Sequence, residues 1–287
     1  MPAFDRPVFI IAAPRSGSTL LFELLAANRA FWTVGGESHH LIEGMAPLHP
    51  AQRNWASNRL DPSDAGDALS LKLRGHFSIS LVNADHVPYR DVLGQKETTV
   101  RLLEKTPKNA LRIPFLKAVF PDAKFIFLHR DARSNIASIM AAWRSGRFVT
   151  YPDLPGWTGL PWSLLLIPGW RELIGDNLAE IAMRQWRDAN EIALEDLNAL
   201  PKTDWCALRH EDLIENPGPS LARLCRFAGV PFDSSMEQRA RPPLPHSRHT
   251  LTPPMPEKWR LHAAEIQPVL GKTEDTALKL ESLGSPA

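Results

Sequence analysis

Apolar residues fall into three short unbroken runs, each followed by a turn and then by apolar positions at helical spacing. The first run, Val8 to Ala12, has the length and continuity of a parallel strand covered on both faces. A Pro/Gly/Ser turn follows, and Leu20, Leu21, Leu24 and Leu25 form the stripe of a helix laid on a sheet, starting near Ser18. The second run, Lys124 to Leu128, comes after the turn residues Pro121 and Asp122, and Asp131 is placed to cap a helix running towards Trp143. The third, Trp205 to Leu208, precedes Glu211-Asp212-Leu213. Beyond Pro217 a helix carries Leu221, Leu224, Cys225 and Ala228, with Gly229 as its stop. Strands alternating with helices predict an α/β fold of three layers, a central parallel sheet between helices. Its ligand crevice should lie at the carboxyl ends of the strands.

Two stretches break the pattern. Residues 147 to 177 are rich in proline and glycine and hold Trp157, Trp162 and Trp170, which predicts an irregular insertion acting as a lid over an acceptor pocket. The same tryptophans would serve equally to pack that insertion onto the core. Residues 240 to 262 are also proline-rich and carry His246, Arg248, His249, Lys258 and Trp259, as an ordered loop crossing the surface would. With 44% apolar and 23% charged residues, the 287-residue chain can bury one sizeable core, so residues 1 to 287 are read as a single domain.

A formal charge of +1 excludes bulk attraction to nucleic acid, so an anionic ligand must be met by a local cluster of cations. Cys206 and Cys225 have no metal-ligand spacing and read as buried small hydrophobes; no metal site is expected. The apolar run near the N-terminus is broken by Pro14, and that of Leu160 to Ile167 by Pro161 and Pro168. Both are too short for a signal peptide or a span of roughly 20 residues, which predicts a soluble, cytoplasmic protein. Nothing in the pattern reports the oligomeric state.

Between the first strand and its helix stands Ala12-Ala13-Pro14-Arg15-Ser16-Gly17-Ser18-Thr19, with the spacing of a phosphate-binding loop. Against the Walker form GxxxxGK[ST], Ala12 replaces the first glycine and Ser18 the lysine. The group that reaches the outer phosphates of ATP is therefore missing, and Arg15 supplies positive charge instead.

This loop resembles the PRSGST or PKSGTT loop of sulfotransferases that use 3′-phosphoadenosine 5′-phosphosulfate (PAPS), and the likeness covers nearly the whole chain. Glu104-Lys105-Thr106-Pro107-Lys108-Asn109 with Phe120 to Asp131 is similar to the second block of that family, and Leu208 to Pro217 to its RYEDL-x-x-x-P segment. The resemblance implies Arg15 and Ser16, Gly17, Ser18 and Thr19 on the 5′-phosphosulfate, and Arg130 and Ser138 on the 3′-phosphate. His210 stands where a tyrosine near the adenine is common, and Lys258 beside Trp259 matches the loop that closes on the nucleotide, without the glycine-containing RKGxxG form. Lys105 matches the lysine at the bridging oxygen. The histidine that the best-known cytosolic members place two residues later is Pro107 here.

The base must then lie elsewhere, and Gly35-Gly36-Glu37-Ser38-His39-His40 resembles the glutamate segment of other members. Glu37 is the expected base, His39 the next candidate, and His40 an acceptor contact. The predicted reaction is in-line transfer of a sulfuryl group to a hydroxyl on a small molecule, lipid or carbohydrate, with release of PAP. Two other classes compete. A nucleotide kinase would need the P-loop lysine and a magnesium-binding acid. A non-catalytic nucleotide-binding protein would have no need of Arg15, Lys105, Arg130 and a base together.

Overall fold

The computed structural model of the chain describes residues 2–95 and 99–283. Strands β1 (Ala3–Phe4), β2 (Val8–Ile11), β3 (Phe31–Trp32), β4 (Thr99–Lys105) and β5 (Lys124–His129) come first. Then come β6 (Val149–Tyr151), β7 (Trp162–Ser163) and β8 (Trp205–Arg209). Six of them form one sheet in the order β1-β4-β2-β5-β8, with β3 also on β4, and all its pairings are parallel. The helices are α1 (Ser18–Leu25), α2 (His39–Glu43), α3 (Asp67–Ile79), α4 (Ile113–Val119), α5 (Ala132–Ser145) and α6 (Leu178–Asn198). They continue as α7 (His210–Glu215), α8 (Pro217–Ala228), α9 (Ser234–Arg239), α10 (Ala263–Leu270) and α11 (Glu274–Glu281).

The period of two along a strand divides the core. Phe9 and Ile11 of β2 and Phe125 and Phe127 of β5 face a cluster built with α3, α4, α5 and α6. Val8 and Ile10, with Ile126 and Leu128, face a second cluster built with α1, α8 and α9. All eight side chains are 1% exposed or less, and each contributes about 1.5–3 kcal/mol on burial. The three-layer α/β expectation is met. β2, β5 and β8 match the three predicted runs to within a residue, Asp131 accepts from Ser134 N at 2.9 Å as the cap of α5, and Gly229 ends α8 at φ 67°.

β4 has no counterpart among the predicted runs. Arg101 interrupts its apolar sequence and Glu104-Lys105 ends it, yet both terminal residues are buried. The insertion also differs from its reading as irregular chain. β6 and β7 pair in an antiparallel hairpin, and Trp162, Leu165, Leu166, Ile167 and Trp170 are at most 1% exposed within the α5–α6 core. The stretch between the two strands and the segment from Arg171 to Asn177 are largely exposed. Among the described residues no helix is long and apolar enough to cross a membrane.

Candidate active site

β2 stops at Ile11, and six residues carry the chain across the carboxyl end of the sheet into α1. Two of them, Arg15 at φ 66° and Gly17 at φ 94°, take left-handed backbone, which is what turns the loop so tightly. Gly17 is the N-cap of α1, and no side chain caps the helix. Its first N–H groups and the positive end of its dipole are thus left for an anion. The loop is pinned from beneath. Ser16 Oγ lies 2.9 Å from Ala13 O and 2.6 Å from Asn135 Oδ1, and Asn135 Nδ2 donates to Pro14 O at 2.7 Å. Ser16 is 0% exposed and its N–H also turns to Ala13 O at 3.4 Å, so both its hydroxyl and its amide shape the loop.

Three basic side chains crowd this loop. Arg15 Nη2 donates to His249 O at 2.9 Å and its guanidinium lies 4.6 Å from the Phe148 ring centre. Arg130 Nη1 donates to Arg15 O at 3.2 Å. His210 sits so close over Gly17 that a Cβ there would come 2.4 Å from its Nδ1. Burial, and after it the charge of Arg130, pull Arg15 down to about 10 and His210 down to about 3, so His210 is neutral. Burial also lowers Arg130. Arg15 Nε, Arg130 Nε and His210 Nδ1 are all buried and lack a hydrogen-bond partner among the described residues. Unmet cationic donors beside an uncapped helix fit a phosphate-bearing ligand.

Strand pairing brings the second half of the site alongside. Lys105 pairs with Ile10, so it ends β4 level with the start of the loop, and it is 1% exposed. Its Nζ meets Glu37 Oε1 at 2.5 Å. Burial alone would raise Glu37, but the bond from His39 and the charge of Lys105 outweigh it and hold the carboxyl down to about 2. The residues beside this pair are tied to each other. Ser38 N donates to Thr106 Oγ1 at 2.7 Å, and Ser38 Oγ and Asn109 Nδ2 reach the fully buried Glu104 carboxylate at 2.7 Å each. Burial raises the pKa of Glu104 above the usual carboxylate range.

The remaining predicted residues divide. Ser138, partly buried on α5, makes no hydrogen bond among the described residues, and its hydroxyl is uncommitted. His39 Nδ1 is 3.6 Å from Glu37 Oε2, while His40 is exposed and stacks edge-on against His39. Lys258 turns back on its own loop, to Thr252 and to Pro253 O at 2.8 Å, and Trp259 lies 5.4 Å from the guanidinium of Arg133. The C-terminal stretch reaches the phosphate loop instead through His249 and through Arg248, 3.4 Å from Glu23 of α1. Trp162 and Trp170 are enclosed, their Nε1 atoms bonded to Leu165 O and Trp55 O, so they are packing side chains; Trp157, partly buried, stands in front of them at 4.8 and 6.2 Å. Sequence reasoning missed Asn135, Phe148 and the contact of His249. Four positions past its cap, Asn135 carries no local sign of gripping a loop 119 residues away.

Residues 7–234 match the profile described as the sulfotransferase family. Over 235 residues the chain is 22% identical to protein-tyrosine sulfotransferase A of Caenorhabditis elegans, covering 80% of this chain and 51% of that one. Over 265 residues it is 27% identical to the omega-hydroxy-beta-dihydromenaquinone-9 sulfotransferase Stf3 of Mycobacterium tuberculosis, covering 79% and 63%. The chain thus spans between half and two thirds of these relatives. Its fold is similar to the crystal structure of a sulfotransferase from Alicyclobacillus acidocaldarius, with TM-score 0.51, 17% identity, and coverage of 97% of this chain and 95% of that one.

Proposed function

The chain belongs to the sulfotransferase family, and from that membership and the geometry of its crevice we propose that it moves a sulfuryl group from PAPS to an acceptor hydroxyl, releasing PAP. One observation carries the reading most directly. The Lys105–Glu37 contact of 2.5 Å stands at the carboxyl end of β4, in register with the start of the phosphate loop. A cation and a carboxylate thus stand together beside the uncapped start of α1, which supports a role for the one at the leaving oxygen and for the other at the incoming hydroxyl.

The donor supplies a sulfuryl group bound through an oxygen shared with its 5′-phosphate. Arg15 and the amides of residues 17–19, over the turn that Ser16 fixes, would hold that end, and Arg130 with the uncommitted hydroxyl of Ser138 would hold the 3′-phosphate, with His210 against Gly17 beside them. Lys258 and Trp259 are proposed to close over the nucleotide; the contact of Trp259 with Arg133, three residues past Arg130, supports this. In the resting pair Glu37, at about 2, is too weak a base to act. Lys105 turns from Glu37 to the shared oxygen, where negative charge grows as the old S–O bond breaks. Glu37, relieved of that charge, takes the acceptor's proton as the new O–S bond forms. The donor must therefore enter before the acceptor is activated.

We propose a hydroxyl on a small molecule, lipid or carbohydrate as the acceptor, with Trp157 and His40 at its edge. Both relatives are named for hydroxyl-bearing substrates, a protein tyrosine and an omega-hydroxylated menaquinone. The positive charge at the site comes from Arg15, Lys105 and Arg130, so no metal is proposed. Two free cysteines suit the cytoplasm as the compartment.

Calorimetry with PAP and AMP tests this. PAP should bind roughly tenfold or more tightly, since a charge-assisted phosphate contact contributes about 1.5–3 kcal/mol. Equal affinities would remove Arg130 and Ser138 from the site, and an absolute magnesium requirement would restore the kinase reading.

A further inference from the structure

Glu43 closes the last turn of α2, six residues after Glu37, and its side chain is 9% exposed. Four side chains converge on its carboxylate. Lys108 Nζ donates at 2.7 and 2.9 Å, Arg112 Nη2 at 2.6 Å and Asn58 Nδ2 at 3.1 Å, and the Tyr151 hydroxyl lies 3.2 Å from both oxygens. Tyr151 also lies 2.9 Å from Lys108 Nζ. These groups come from separate parts of the chain, and each part borders the site. Lys108 and Arg112 follow Lys105 by three and seven residues. Tyr151 ends β6 at the near end of the insertion, and Asn58 accepts Leu166 N–H at 2.6 Å just past β7.

Apolar residues of similar volume would fill such a space at no loss of stability, so a buried charged cluster calls for a further explanation. The helix that carries Glu43 has only five residues, too few to hold a direction by its own hydrogen bonds. The link from Ser38 to Glu104 and Thr106 fixes Glu37 to Lys105 but touches nothing of the insertion. Glu43 joins all three parts: the segment bearing Glu37, the turn after Lys105, and both ends of residues 151–166. We propose that Glu43 is a positioning residue that seats the insertion, and with it the acceptor side, against the Glu37–Lys105 pair, and that the seat depends on a protonated Lys108. The inference rests on the sulfotransferase reading only for the role given to that pair.

Lys108 faces Glu43 from α2, Arg112 from its own turn, Tyr151 from β6 and, further off, Glu37 ahead of α2. Burial lowers Lys108 to about 8, against the pull of Glu43. Its proton, and with it the seat, is therefore held below pH 8 and lost as pH rises through that value.

The test uses the full chain with Glu43→Gln and, as a milder variant in case that one does not fold, Tyr151→Phe. Amide hydrogen exchange of residues 149–166, taken relative to the intrinsic rate at each pH, and the NMR chemical shifts of the His39 ring, which touches Glu37, are followed across pH 6 to 9. Relative to the intrinsic base-catalysed rate, exchange in the segment should rise roughly tenfold in the variant, and in the native chain with a midpoint near pH 8; the ring signals of His39 should move, and calorimetric PAP affinity should stay within about twofold. Unchanged exchange and unchanged His39 ring signals in a folded variant would overturn the proposal, as would loss of PAP affinity in step with the segment, which marks general loosening. If the native chain fails to bind PAP, the sulfotransferase reading falls, while the exchange and His39 results still decide the role of Glu43.

Discussion

The two halves of the crevice are built by opposite means. On the nucleotide side the backbone does the shaping: left-handed Arg15 and Gly17, an uncapped helix start, and a buried asparagine gripping the loop. Among the described residues Arg15 Nε and Arg130 Nε there have no partner. On the acceptor side the charges are already paired, Glu37 with Lys105 and Glu43 with Lys108 and Arg112, although Arg112 Nη1 is also buried without a partner among the described residues, and behind them stand buried tryptophans. One side is therefore poised to gain contacts when an anion arrives. The other must exchange contacts it already has, so substitutions there should act on folding and turnover more than on nucleotide affinity.

The largest effect expected from this contrast is on stability. Trp162 is 0% exposed, touches Trp143, Trp157 and Trp170, and bonds Leu165 O. Trp162→Ala should cost about 3–5 kcal/mol of unfolding free energy, as large-to-small changes of a buried tryptophan do. Trp157→Ala, at the partly exposed front of the same cluster, should cost less than half of that. Denaturant unfolding of the two variants measures this, and equal small losses would return the whole insertion to the role of a detachable lid.

Next comes the pair at the junction. Lys105→Ala should lower turnover roughly 10²–10³-fold, the usual result of removing one group that stabilises charge in the transition state. PAP affinity should stay within a few-fold, because the resting partner of Lys105 is Glu37. Single-turnover transfer from labelled PAPS, with calorimetry on the same preparation, separates the two quantities. A parallel fall in both would make Lys105 a nucleotide ligand.

On the nucleotide side a smaller change is expected from Gly17→Ala. The new Cβ would meet His210 Nδ1 at 2.4 Å and force a left-handed alanine, a strain of about 1–3 kcal/mol. PAP should bind roughly tenfold more weakly. Adding His210→Ala should restore part of the loss, since it removes the clash but leaves the strained φ. No recovery would assign the whole cost to the backbone.

The same contrast explains which features could be read from the sequence. Strand, turn and helix at residues 8–25 are local, and their apolar runs, proline and glycines report them directly. β4 was hidden because Arg101 and the Glu104-Lys105 end look like solvent-facing chain; their burial comes from pairing with β2 and β3. Trp162 and Trp170 carry no local sign of whether they line a space or fill one, because α5 and α6 enclose them. The bond from Arg15 to His249 spans 234 residues, and a loop carbonyl leaves no signature in residue type. Lys105 and Glu37 were legible through resemblance, their direct contact was not.

The smallest expected effect concerns His39, the other candidate base. It is half-exposed and meets Glu37 at 3.6 Å, so its main influence is on the carboxyl it touches. With burial opposing, His39 and Lys105 together hold Glu37 down to about 2. Removing His39 in His39→Asn lets that pKa climb towards the ordinary carboxylate range. Glu37 still stays ionised at pH 7 and becomes a somewhat stronger base, so turnover at pH 7 should move by no more than a few-fold. The acid side is where the variant should differ. A base works only when deprotonated, so the rate falls as pH drops through the pKa of Glu37, and that fall should begin at higher pH in His39→Asn than in the native chain. Glu37→Gln sets the scale, with a loss of roughly 10²–10⁴ in rate wherever the native carboxyl is ionised. If the asparagine variant were inactive at pH 7 and the glutamine variant near native, the proton would pass to His39, and Glu37 would serve only to orient its ring.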